Sequence, residues 1–144
     1  MTDPYNLQRF VDAQDPVFEQ VRLELRAGQK RSHWMWFIFP QIEGLGRSAM
    51  AREFAIATRQ EALAYSGHPL LGARLMECAR LVNAIEGRSI AQIFGHIDAM
   101  KFHSSMTLFA HASANREVFD QALKKHFDGQ PDAATLERLG ERGG

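Results

Sequence analysis

The sequence predicts an all-α fold, a single compact domain of about six to eight helices with no parallel sheet. Three observations carry this. Apolar residues recur at three- and four-residue spacing along most of the chain, the period of a helix with one buried face. Serine, threonine, aspartate or glycine punctuates these stretches where helices start and stop. No segment alternates apolar and polar residues as a half-buried strand does. With 144 residues, 45% hydrophobic and 24% charged, the chain can fill one core and has globular composition. Its one domain spans 1–144, with the ordered core expected over about residues 5–140.

The elements follow in order. Asn6 is placed to cap a short pattern of Leu7, Phe10 and Val11. Asp15-Pro16 reads as an N-cap and first helical residue ahead of Val17, Phe18, Val21 and Leu25, with Gly28 as the stop. WMWFIF, residues 34–39, is read as helical, although periodicity alone does not separate a buried helix from a buried strand there. Ser48 caps a helix carrying Met50, Phe54 and Ile56, and Thr58 with Glu61 forms a capping box before Leu63 and Tyr65. Gly67-His68-Pro69 breaks the chain, and a long amphipathic helix from Leu70 to Ile85 follows, ended by Gly87. Ser89 caps IAQIF, stopped by Gly95; a helix from about Asp98 carries Met106, Leu108 and Phe109. REVFDQALKKHF places Val118, Phe119, Ala122 and Leu123 on one face, and Asp132 caps a last helix, AATLERL.

Composition excludes some functions. Lys plus Arg equal Asp plus Glu, 17 against 17, so no global field favours nucleic acid or an anionic membrane. Cys78 is the single cysteine, which rules out an internal disulfide and suits a reducing cytoplasm. Asp3 and Pro4 stand where a signal peptide would be basic, and the longest apolar run, WMWFIF, is far shorter than the roughly 20 residues that span a bilayer. A cytoplasmic protein is expected. None of the six histidines falls in HxxxH or HExxH, and Cys78 lacks a CxxC partner. His96, His103 and His111 would need one helix to share a face, and Gly95 argues against it. No metal site and no cofactor are expected.

Three polar constellations remain. In the first, Lys30 and Ser32 lead into SHWMWFIFPQ, and Gly44, Gly46, Arg47 and Ser48 form a loop whose exposed amides suit an anion. An equally simple reading is a capped helix after a glycine turn. Within the aromatic block, Trp34, Phe37 and Ile38 share a helical face and belong in a core, while Trp36 points about 200° away. His33, Trp36 and Gln41 then face a pocket. In the second, Tyr65 and His68 form a candidate acid–base pair, with Arg74 placed for a phosphate or carboxylate; the alternative is a turn and a surface ion pair. In the third, Asp98 and Lys101 are one helical turn apart, ahead of Ser104 and Ser105; the alternative is a surface ion pair.

KRSHWMWFIFPQIEGLGRS, EALAYSGHPLLGARL and DAMKFHSSMTLF occur in this order, and in this the chain resembles a family of small, mainly bacterial proteins of unknown function. Some members carry the label calpastatin, which nothing in this sequence supports. The resemblance spans about residues 5–140 and implies a mainly helical single domain. Its signature positions match at Lys30, Ser32, His33, Trp34, Trp36, Phe39, Pro40, Gln41, Gly44, Gly46 and Ser48, then at Glu61, Tyr65, His68, Pro69, Gly72 and Arg74, and at Asp98, Lys101, Ser104 and Ser105. Ser66 stands where leucine is usual and Phe54 where tyrosine is common. So polar a signature is explained economically if the three constellations meet around one cleft.

The expected function is therefore a pocket for an anionic small molecule, a nucleotide or phosphorylated metabolite. Lys30, Arg47, Arg74 and Lys101 would supply charge, the tryptophans stacking, and His33 or His68 with Asp98 acid–base chemistry. A likeness in style to helical glycosidases acting on ADP-ribose-type substrates adds hydrolysis as one option. The rival expectation is a non-catalytic interaction module whose aromatic patch receives a partner helix or peptide.

Overall fold

Local signals in the sequence place most of the helices. The computed structural model describes residues 2–141, and ten helical segments appear among them. These are α1 Gln8–Gln14, α2 Phe18–Arg26, α3 Met35–Ile38, α4 Ala49–Glu53, α5 Arg59–Gly67, α6 Leu71–Asn83, α7 Ile90–Phe94, α8 His96–Ala112, α9 Glu117–Phe127 and α10 Ala133–Glu141. The count exceeds the expected range because α3, α4 and α7 are single turns of four or five residues. No sheet forms among the described residues. One isolated parallel bridge, Ile42 with Ile56, ties the loop after α3 to the segment after α4, so Ile56 lies outside the helix expected to carry it.

The caps show where local chemistry prevailed. Ser48, Thr58 and Ser89 each accept a backbone N–H three residues on, and Asp132 does the same for Thr135 at 3.1 Å. Ser89 and Gln92 complete a reciprocal capping box. Three expectations need correction. Asn6 takes a left-handed conformation, φ 51°, and Asp3 instead accepts from the N–H groups of Leu7 and Gln8. Asp15 does not cap α2; it closes α1 and pairs with Arg74 at 2.9 Å. Glu61 turns away from Thr58 to accept from the Ala57 N–H at 2.9 Å, because Arg9 holds its other oxygen at 3.0 Å.

The aromatic block makes only one helical turn. Pro40 disfavours helical geometry at the residue before it, and Phe39 accordingly leaves the helix at φ −124°. Helix α8 is the centre of the fold, packed against α5, α7, α9 and α10. Residues 104–110 are buried without interruption, so this stretch of the helix is enclosed on all sides rather than amphipathic. Phe39 meets Phe102 edge-on at 4.9 Å, and Phe94 lies 5.1 Å from Phe102. At the other end Tyr65 packs 5.4 Å from Phe109 and edge-on against Phe10 at 4.9 Å. Helix α6 joins this core through α2, α5 and α9. Its Gly72 is essential to the α5–α6 corner, since a Cβ there would stand 2.1 Å from the Ser66 carbonyl oxygen.

Candidate ligand cleft at the start of helix α8

Glu24, on the apolar face of α2, organises the segment that carries the aromatic block. Its side chain is buried, 3% exposed. One oxygen accepts from the Arg31 N–H at 2.8 Å, the Ser32 N–H at 3.0 Å and the Trp34 indole N–H at 2.9 Å. The other accepts from the Ser32 hydroxyl at 2.6 Å and Gln20 at 2.9 Å. Burial alone pushes this carboxyl up, but the hydrogen bonds from Ser32, Arg31, Gln20 and Trp34 prevail and bring it down to about 2. Ser32 and Trp34 are thus bound to a carboxylate that keeps its charge.

The loop so fixed presents Lys30 to α8. Lys30 Nζ lies 2.8 Å from Asp98 Oδ2, and Lys101 Nζ lies 3.5 Å from Asp98 Oδ1. The Lys30 side chain is 8% exposed. Each lysine also covers a tryptophan, Lys30 at 5.2 Å from the Trp34 ring centre and Lys101 at 5.0 Å from that of Trp36, a favourable contact with the ring's negative face. Two ammonium groups share one carboxylate, so the cluster keeps one positive charge. The closer partner, Lys30, takes most of Asp98's field.

Beside Lys101 opens a cleft of about 290 Å³ between α8, the loop after α3 and the start of α10. Gln41, Lys101, Ser104 and Asp132 are its polar groups; Leu45, Ile97, Met100 and Ala134 form apolar walls. Ile97 and Met100 are 70% and 61% exposed. Ser104 donates to the Met100 carbonyl at 3.1 Å and to Asp132 Oδ2 at 3.2 Å. Asp132 Oδ2 also receives the Thr135 hydroxyl at 2.6 Å.

The model of a protein family of unknown function, DUF1810, matches residues 4–139. The chain belongs to the DUF1810 family. It is also similar to a crystal structure at 1.38 Å of the conserved hypothetical protein Rv1873 from Mycobacterium tuberculosis. Identity is 51% over 96% of this chain and 99% of that one, with a TM-score of 0.94. A search of curated proteins gives no match.

In this DUF1810 chain the first and third constellations meet, through Lys30 on Asp98 and through Gln41 and Gly46 beside Lys101 and Ser104, while the second stands apart. Tyr65 is fully buried, receives a hydrogen bond from Gln14 at 3.0 Å, and has its phenol pushed up by burial, which removes it from acid–base work. Arg74 braces α6 against α1 and α2, through Asp15, Gln14 at 3.3 Å and the face of Phe18 at 4.7 Å. His68 uses Nδ1 to accept the N–H groups of Leu70 and Leu71, each at 3.1 Å, and so caps α6. These residues serve packing, and none lines the cleft. His33 is exposed, and among the described residues no hydrogen bond or ion pair joins it to Asp98, whose partners are Lys30 and Lys101. The acid–base set of His33, His68 and Asp98 is not assembled.

The glycine loop is in part structural, although Gly46 also lines the cleft. Gly44, at φ +100°, lies under the guanidinium of Arg138, where a Cβ would approach to 2.8 Å. A Cβ on Gly46 would stand 2.5 Å from that of Ala51. Arg47 and Ser48 are exposed, and Ser48 caps the short α4. Ser105 is buried with its hydroxyl unpartnered, as is the indole N–H of Trp36. Helix α8 does hold His96, His103 and His111 together, since it starts after Gly95. Steps of seven and eight residues nonetheless separate them by about 10 Å or more along the axis, too far to share an ion. His103 stacks on Phe127 at 3.9 Å instead, and no group of three His, Cys, Asp or Glu side chains among the described residues can hold a metal. No helix among them is long and apolar enough to cross a membrane.

Sequence reasoning overlooked Glu24, although a carboxylate three residues after Val21 and next to Leu25 sits on a core stripe. The cleft walls carried no such signal. Ile97 and Met100 look like core residues by type, and Asp132 reads only as a cap.

Proposed function

We propose that this protein binds a small molecule through an anionic group, without catalysis, in the cleft beside Lys101. The observation that carries the reading is the shared carboxylate. With Asp98 2.8 Å from Lys30 and 3.5 Å from Lys101, the Lys101 ammonium at the cleft edge is incompletely compensated. The cleft volume, about 290 Å³, stands near the lower end of the roughly 300–1,000 Å³ usual for small-molecule sites. Hydrolysis has no support in the side-chain arrangement, because the histidines with which Asp98 would act lie outside the cleft. An aromatic docking patch has none either, since Trp34 is 1% exposed and Lys101 covers Trp36. Cys78, buried and pushed up to about 12 by desolvation, stays a thiol and fits the reducing cytoplasm proposed for the protein.

A thermal-shift screen of nucleotides, sugar phosphates and small carboxylates tests the proposal, with Lys101→Met as control. A bound ligand stabilises the fold by mass action, by about 2.7 kcal/mol at a hundred times its Kd, and so raises Tm. The expected result is a shift in the parent that Lys101→Met abolishes. A screen with no shift, or shifts unchanged by the substitution, overturns it.

A further inference from the structure

The cleft's polar groups are not all cationic, and its walls are not aromatic. Lys101 and Ser104 stand one turn apart on α8, about 5–6 Å between neighbouring side chains, and Ser104 reaches Asp132 at 3.2 Å. An ammonium and a carboxylate therefore face the same small volume from adjacent positions. Three bonds fall on Asp132 Oδ2, from Ser104, the Thr135 N–H and the Thr135 hydroxyl. Among the described residues none donates to Oδ1, which can receive a donor from outside.

The rest of the wall is aliphatic or thioether, from Leu45, Ile97, Met100 and Ala134. Neither tryptophan lines the cleft, so a nucleobase there would find no stacking platform. A phosphate dianion would meet one lysine and one opposing carboxylate, a poor match for two negative charges. A monocarboxylate bearing its own ammonium group fits both ends, and an apolar side chain would cover Ile97 and Met100, exposed to 70% and 61%.

Building on the cleft reading above, we infer that the ligand is a small aliphatic α-amino acid, its carboxylate on Lys101, its ammonium on Asp132 and its side chain against Ile97 and Met100. Gln41 and Ser104 lie beside these two contacts and provide further polar edges. The assignment uses both charged groups and the two exposed apolar side chains of the cleft, and the ligand's opposite charges account for the opposite charges of the site.

Calorimetric titration of the full chain with L-leucine, 4-methylpentanoate, AMP and inorganic phosphate decides it. Leucine is expected to bind more tightly than 4-methylpentanoate, which lacks only the ammonium group. Lys101→Met should weaken leucine at least tenfold. Asp132→Asn keeps an oxygen able to cap α10 and should abolish the preference for leucine over 4-methylpentanoate. Ile97→Ser, at an exposed position that folding does not need, should weaken both ligands severalfold. Equal binding of leucine and 4-methylpentanoate by the parent overturns the role of Asp132 and with it the amino-acid assignment. AMP or phosphate binding that depends on Lys101, with leucine inert, overturns the assignment and leaves the anionic cleft standing. Failure of all four probes, in a chain whose melting curve is intact, refutes the assignment, while the wider screen separately judges the cleft.

Discussion

Replacing Glu24 with glutamine removes one charge and almost no volume, at a site where five donors converge. The carboxyl falls from 4.5 to about 2 on folding. One unit of pKa corresponds to about 1.4 kcal/mol, so the native hydrogen bonds favour the charged form by roughly 3 kcal/mol. The folded pKa lies below the unfolded one. This stabilisation is therefore complete above pH 4.5 and drains away as pH falls toward 2, because the unfolded chain takes up the proton first. Glu24→Gln should thus be less stable than the parent by about 3 kcal/mol at pH 7, with some relief if the amide oxygen keeps a few donors. The amide NH₂ would face Gln20, itself a donor at 2.9 Å. Urea denaturation of both proteins at several pH values measures the gap. It should be constant from pH 7 to about 5 and then shrink by about 1.4 kcal/mol per unit below the unfolded pKa. A loss under 1 kcal/mol at pH 7, or a gap independent of pH down to 3, refutes the account of Glu24 as a charged hub.

Three further outcomes follow from the packing. Gly72→Ala puts a Cβ 2.1 Å from the Ser66 carbonyl and should destabilise by about 2 kcal/mol or more by chemical denaturation, since α5 and α6 must separate. Lys30→Met leaves Asp98 with the more distant Lys101 and should cost about 2 kcal/mol, less than a fully orphaned charge, when thermal melts are compared. His126 is lowered to about 4 by burial and, secondarily, by nearby Lys125. Folded His126 stays neutral as pH falls from about 6.5 toward 4 while the unfolded chain takes up the proton, so stability declines over that window. His126→Gln should flatten the decline of stability over that window, as read from denaturant midpoints at pH 7, 6 and 5.

The fold was legible because helices are specified locally. Ser48, Thr58, Ser89 and Asp132 cap where the sequence places them, since a short polar side chain satisfies backbone N–H groups only a few residues away. Trp34, Phe37 and Ile38 are buried as their spacing requires. Legibility failed where a distant partner outbid a near one. Asp15 was drawn to Arg74, 59 positions away in sequence, and Glu61 to Arg9.

The sequence by itself determined the helical class, the buried side of the aromatic block and the adjacency of Asp98 and Lys101 on one face, because each depends on separations of a few residues. Tertiary structure alone decided which polar groups share a space. It brought Lys30 from the loop after α2 onto Asp98, and Asp132 from the start of α10 onto Ser104. It also sent His68 and Arg74 to brace α6 instead of joining them. Charges and donors act over a few ångströms in space, and a linear pattern contains no measure of that distance between helices.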